Sequence, residues 1–486
     1  MAITRRQFIQ RTGLAAAGSF LGPSLFRNPW LQQALADTMG DRYFVVLYLD
    51  GGNDGLNTIT PVDNGTGSLR ADYQIARNTG SGGLQLPTSG QGALLVPAKP
   101  FKDPATTAQL GFHPGLQGIK NLYEQSKVAV IQGCGYPDYS LSHDDSRHFF
   151  QNANPQGNGG FQGGWLGRYL AANYLGSDIP GVNIRDDIAG EFIQFTTSVL
   201  AFTRVRNFKF PYDDYDHSDD NAKKAAFLTL CSQATGSAQA TLKYVGDTGT
   251  ATEKSTESYP QLENHYKVDR PSGSSWDAQY TALNTSTAKD LREVAKVIYG
   301  VSSGFPLSNP PTARFFEVRN GGYDTHSDQG AGLAGDQHYD LHKEVGDAVE
   351  LFYNDCVDMG VGNKVVILVW SEFSRRIKQN DNGTDHGSQA PMFVIGGPVI
   401  GGAYGNHPNI KSTPSSSSAL DGDGNTVYWQ GGSNPKNWTR STDIRDVYGT
   451  ILNKWLGMAN PLTVLPVDVG SANLYWTSPN FTMGFL

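Results

Sequence analysis

Residues 364–397 read KVVILVWSEFSRRIKQNDNGTDHGSQAPMFVIGG. The run from Val365 to Trp370 is apolar without alternation. That pattern marks a strand buried on both faces, as in a parallel sheet. It stops at Ser371-Glu372-Phe373. A polar loop follows, carrying Asp385-His386 between Gly383 and Gly387, and a second apolar run extends from Pro391 to Ile395. In open α/β sheets, ligands gather where strands end. The loop is therefore expected to supply part of a metal site.

Three other stretches have the same form. Tyr43 to Leu49 is a continuous apolar run that ends in Asp50-Gly51-Gly52-Asn53-Asp54-Gly55, a glycine-rich turn with two carboxylates. Lys127 to Gln132 predicts a second buried strand. Beyond it, Ser142 precedes His143, Asp144 and Asp145, a pattern that opens a helix with a capping serine and acids in the first turn. A nucleophile would also fit there, because helix N-terminal N–H groups can hold a phosphate or sulfate. Thr312 to Val318 predicts a third strand, which leads to Asp324-Thr325-His326. Mixed Asp/His groups without cysteine suit Zn, Mn, Ca or Fe, as one ion or two.

Helices are predicted between these strands, so the fold class is α/β, with a central, mostly parallel sheet flanked by helices. Gly335 to Met359 places Leu341, Val345, Val349, Phe352 and Cys356 on one stripe at helical spacing. His338 and His342 share that helix at i, i+4, where a surface or packing role is favoured over metal binding. Residues 63–110 read as loop with short irregular strands. Residues 275–299 read as a helix, 246–257 as a flexible linker, and 405–438 as a Gly/Ser-rich loop. Residues 185–290 are assigned to a helical insertion or cap over a domain of residues 37–486.

Composition narrows the function classes. The formal charge is −8. Residues 1–36 hold Arg5, Arg6, Arg11 and Arg27 and no acid, so the remainder is more acidic still. Such a chain lacks the basic surface that nucleic-acid binding requires. Arg5-Arg6, a short apolar run from Leu14 to Phe26, and Ala34-Leu35-Ala36 form a twin-arginine export signal. That run is too short for a stable membrane span. A periplasmic or secreted protein that engages the twin-arginine machinery is expected. Cys134, Cys231 and Cys356 are odd in number and contain no CxxC, which argues against a disulfide framework and against a cysteine zinc site.

Taken together, the leader, VVLYLDGGNDGLN (45–57), VAVIQGCGYP (128–137) with the following Ser142-His143, FFEVRNGGYDTHSDQ (315–329), and VWSEFSRR with GTDHGSQAPMFVIGG resemble the DUF1501 family of exported proteins. That family is similar to the alkaline phosphatase and sulfatase superfamily. The resemblance implies two metals on a parallel-sheet edge and hydrolysis of phosphate or sulfate esters, small or polymeric. It implies Asp50 as the first-strand ligand, Ser142 as the nucleophile, and Asp324 and His326 as an Asp…His ligand pair. His143 and Arg375 are candidate substrate-binding groups; Arg375 and Arg376, which follow Glu372, could pair with a substrate anion or equally be solvated loop charges. The last segment matches in two ways. Asp385-His386 resembles the superfamily's Asp-His-Gly motif. By strand order, Glu372 stands where that aspartate belongs, and His386 then resembles a later lone histidine ligand. Two departures stand out: Asp324 and His326 are closer in sequence than the superfamily's pair, and Phe373 occupies a position where histidine is usual. No Cys/Ser-x-Pro-x-Arg sulfatase signature occurs.

Two function classes follow. One is a metal-dependent ester hydrolase. The other is a non-catalytic metal- or glycan-binding envelope protein that keeps the fold.

Overall fold

A computed structural model describes residues 42–77, 82–136, 139–155, 162–174, 178–194, 196–209, 218–304, 306–307, 309–408, 410, 442–468, 476 and 479–486. The twin-arginine stretch (1–36) and most of the 405–438 loop lie outside these residues.

The sheet is built on β1 (Tyr43–Asp50). Its neighbours are β7 (Phe315–Gly321) on one side and β8 (Val365–Trp370) on the other, both parallel to it. Beyond β7 lie β5 (Gly181–Asn183) and β6 (Val199–Ala201), again parallel. Beyond β8 come β9 (Ala390–Gly396), β4 (Val128–Gly135) and β10 (Gly402–Tyr404), and β11 (Thr442–Asp443) also pairs with β4. Among the described strands of this sheet, only β9 runs against its neighbours, antiparallel to both β4 and β8. A separate antiparallel pair joins β2 (Ile59–Pro61) to β3 (Leu110–Phe112) within the stretch read as irregular.

Alternation along β1 explains the two layers. Val45, Leu47 and Leu49 face one core with Phe316, Val318, Ile367 and Val369. Helices α1 (Gln117–Glu124), α7 (Ser286–Ser302) and α8 (Gln337–Asp358) cover it. Phe44, Val46 and Tyr48 face a second core with Phe315, Leu368 and Trp370. Helices α2 (His143–Asn152), α3 (Trp165–Asn173) and α9 (Ile444–Thr450) cover that side. Both faces are closed, which is why β1 and β8 carry no polar alternation.

Between residues 185 and 290 the chain first adds β6 at the sheet edge. It then forms α4 (Ser218–Thr235), α5 (Ala240–Ser258) and α6 (Gly273–Leu283). The expected linker at 246–257 is therefore helix. Gly246 and Gly249 let α5 press on α4: a Cβ at Gly246 would lie 2.4 Å from Cys231 O, and one at Gly249 would lie 2.5 Å from Cys231 Sγ. The helix expected over 275–299 is broken between α6 and α7, where Asn284 ends α6 with φ 51°. All three cysteines are free and buried. Among the described residues, no helix is long and apolar enough to cross a membrane.

Candidate metal centre

The carboxyl ends of β1, β7 and β8 meet at one edge because two glycines permit it. Gly51 (φ 121°) and Gly52 (φ 77°) occupy backbone conformations that side chains disfavour. A Cβ at Gly51 would sit 2.3 Å from Asp324 N, and one at Gly52 would sit 2.1 Å from Phe373 Cε2. The loops after β7 and β8 therefore close directly onto the turn after β1. The glycines flanking Asp385-His386 act in the same way: a Cβ at Gly383 would meet His326 C at 2.3 Å, and one at Gly387 would meet Arg375 O at 2.4 Å.

Three imidazoles converge on one carboxylate oxygen. Asp324 Oδ1 lies 3.5 Å from His143 Nε2, 3.2 Å from His326 Nε2 and 3.3 Å from His386 Nε2. Each ring is held from behind through Nδ1. His143 Nδ1 is 2.8 Å from Glu372 Oε1, and His326 Nδ1 is 3.2 Å from Asp385 Oδ1. His386 Nδ1 donates to Leu141 O at 2.7 Å. This is the arrangement of metal-binding histidines, in which an outer carboxylate or carbonyl fixes the tautomer and leaves Nε2 for the ion. The donor set thus fits a divalent cation. Among the described residues, His143, Asp324 and His386 are the one group of three or more whose potential ligand atoms all lie within 4.8 Å of one another.

The electrostatics agree with these contacts. Partial burial works to raise the Asp324 carboxyl, but the Arg375 bond and charge, with His386 and His326, hold it below the usual range. His143 is raised, chiefly by its bond to Glu372. Burial lowers His386, which favours the neutral imidazole that a metal requires.

The expected site residues divide by role. His326, Asp324 and His386 meet as described. Glu372 is fully buried, accepts from Gly51 N at 2.9 Å and orients His143, so it stands behind the ring. Asp385 stands behind His326. The two carboxylates that the alternative matchings single out thus each bond a ring Nδ1, Glu372 that of His143 and Asp385 that of His326. Asp50 lies apart from the convergence. It accepts from Tyr48 OH at 2.8 Å and is ion-paired with Arg319. Its position explains this: it shares the β1 face of Tyr48, and Arg319 is Tyr48's register partner on β7.

Arg375 does not present an open guanidinium to an anion. It is fully buried and binds the carbonyls of Gly51, Gly52, Tyr323 and Thr384 together with Asp324 Oδ1. It pins the three strand-end loops to one another. Ser142 caps α2, its Oγ accepting from Asp145 N at 3.4 Å. His143, expected to bind substrate, instead joins Asp324 and His386 in the one close group of potential ligands among the described residues. The signal for that lay in its position at the first turn of a helix after a buried strand, but its partner Glu372 is 229 residues away.

His338 and His342 are buried packing groups, each edge-on to His113. Nearby, Asp54 joins Arg77 at 2.9 Å and Gln329 at 2.6 Å, and Gln329 reaches Thr384 at 2.6 Å. This buried chain fixes the floor of the loops.

The family model described as "Protein of unknown function (DUF1501)" matches residues 310–422, a span that contains β7, α8, β8, β9, Asp324, His326, Glu372, Arg375, Asp385 and His386. No curated protein matches the chain. Over that span the chain is similar to the DUF1501 family.

Proposed function

We propose that the protein is an exported, metal-dependent hydrolase of phosphate or sulfate esters, with an alkaline-phosphatase-like arrangement of its sheet edge. One observation carries this reading: three Nε2 atoms surround Asp324 Oδ1, and each Nδ1 is already committed to an outer acceptor. His143, His386 and Asp324 would hold the first ion, with His326 at its margin. A bound divalent ion would supply Lewis acidity toward an ester oxygen and compensate charge as the bond breaks. Hydrolysis adds water across the ester bond and releases an alcohol with phosphate or sulfate.

The chain's own groups position that chemistry. Glu372 and Asp385 fix two imidazoles, and Arg375 holds the loops at the right separation. Ser142 opens α2 on the same edge, and its cap bond is long enough to be exchanged for contact with an ester. The twin-arginine stretch supports export of the folded, metal-loaded chain.

The second reading, a metal- or glycan-binding protein without turnover, is favoured by the occupied state of Arg375, whose own guanidinium is not open to an ester anion. Protein folded in the cell should carry a divalent metal by elemental analysis and turn over members of an aryl phosphate and sulfate panel. Asp324→Asn should lose both properties. Metal-loaded protein that is inert toward the whole panel would sink the hydrolase reading and leave the binding one.

A further inference from the structure

A second cluster of ligand-type groups lies beneath the sheet, where β5 meets β7. Glu317 sits in the middle of β7 on the face covered by α2, α3 and α9, with Val46 and Asn183 as its register partners on either side. Asn183 shares that face, because the next pair, Val182 and Phe316, both enter the other core. Above them, the turn Gly190–Phe192 packs its Phe192 into the core that holds Phe44, Phe315 and Trp165. Glu191 points inward from the same turn.

All three side chains are out of water: Glu191 is 1% exposed, Glu317 2% and Asn183 0%. None is satisfied. Glu191 Oε1 and Oε2, Glu317 Oε2 and Asn183 Oδ1 have no hydrogen-bond partner. The Asn183 amide N–H is already spent on Asp187 O, which leaves its oxygen as an acceptor only. Gln151 and Glu191's own N–H lie close enough to ease the Glu191 charge, yet neither makes a hydrogen bond of normal geometry. Burial pushes both carboxyls up, Glu191 to about 7 and Glu317, which also meets the Glu191 charge, well above its usual range. Arg185, Asp187 and Asp290 act on Glu317, and Tyr448 of α9 faces Glu191.

Four unpartnered acceptors without a donor call for positive charge. One shared proton would satisfy two of them. A hard cation takes six to eight oxygens and would use all four.

We propose that Glu191, Glu317 and Asn183 form a buried, oxygen-only site for a hard divalent cation of the calcium type, which ties the Gly190–Phe192 turn to the sheet. The site is separate from the strand-edge histidines, and its test is independent of ester hydrolysis.

Calcium alone is the probe, titrated into full-length Asp324→Asn protein so that the histidine centre is disabled. The melting temperature should rise by a few degrees at saturating calcium. Glu317→Gln should abolish the rise, and Glu191→Gln serves as a second variant should the first fold poorly. Without calcium, each single variant should melt at or above its parent, because one buried carboxylate has been removed. A calcium response that survives in both variants would overturn the proposal. So would the absence of any response, with stability that falls as pH rises from 4.5 through 7 identically with and without calcium: the pair would then hold only a proton.

Discussion

The described residues hold two groups of three histidines, and their rings are spaced alike. His143, His326 and His386 have centroid separations of 4.4 and 4.6 Å along the group. His113, His338 and His342 are 4.2 to 4.9 Å apart. Spacing does not distinguish them; partners and water do. The strand-edge rings are 19 to 46% exposed, and two of the three have a carboxylate behind Nδ1. The interior rings are at most 1% exposed and meet only neutral groups, with Asn53 Oδ1 on His338, and Thr58 Oγ1 and Tyr323 OH on His342. His113 Nε2 and His338 Nδ1 are left without a partner. An imidazole backed by a carboxylate is prepared for a cation. One backed by an amide or hydroxyl in a dry interior is prepared to stay neutral.

The largest expected effect separates the two groups outright. Asp324→Asn should strip bound metal while keeping a partner for Arg375, as read by elemental analysis. A variant that retains full metal would break the assignment of the exposed group. Next, His342→Ala should destabilise the chain by about 2–4 kcal/mol through a core cavity and a lost Thr58 bond, with metal content unchanged. If denaturant melts show no loss, the interior group is not a packing unit. Third, Glu372→Gln should weaken metal binding by about 10–100-fold, since it releases the His143 tautomer, and a competition titration would read it. An unchanged affinity would show that the outer carboxylate is incidental.

The smallest effect is in acid. Burial pushes His342 down to about 3, and holds His113 and His338 well below the ordinary imidazole value. Below about 6.5 the unfolded chain binds protons at these rings and the folded chain does not. The stabilisation is therefore complete above 6.5 and is lost as pH falls toward 3. At pH 5.5 the loss from His342 alone should be about 1 kcal/mol. His342→Ala should reduce that slope and leave the share of His113 and His338; an undiminished slope in the variant would assign it elsewhere.

Much of this was legible in the residues. The unalternating runs at 43–49, 127–132 and 365–370 became β1, β4 and β8 because both sheet faces are covered. The chemistry-bearing groups after β7 and β8 did converge, since parallel strands place their ends on one edge. What the sequence withheld was lateral. Asp50 turns to Arg319 because β7 lies beside β1 in a particular register. Arg375 could not be recognised as a loop clamp until the carbonyls of three separate segments surrounded it. Gly246 and Gly249 looked like linker residues, and only the proximity of α4 shows that they are contact points on a helix. His338 and His342 needed the third ring, His113, to become interior.

The reversed direction of β9 bears on how the site assembles. Because β9 returns beside β8, the excursion between them closes like a hairpin and delivers Glu372, Arg375, Asp385 and His386 from one short length of chain. Asp324 and His143 must arrive by much longer closures, the latter across 229 residues. Local loops close at lower entropic cost than distant ones. The cluster is thus a locally closed half completed by two remote partners, so on the proposed metal-binding reading metal affinity would be a late reporter of native topology.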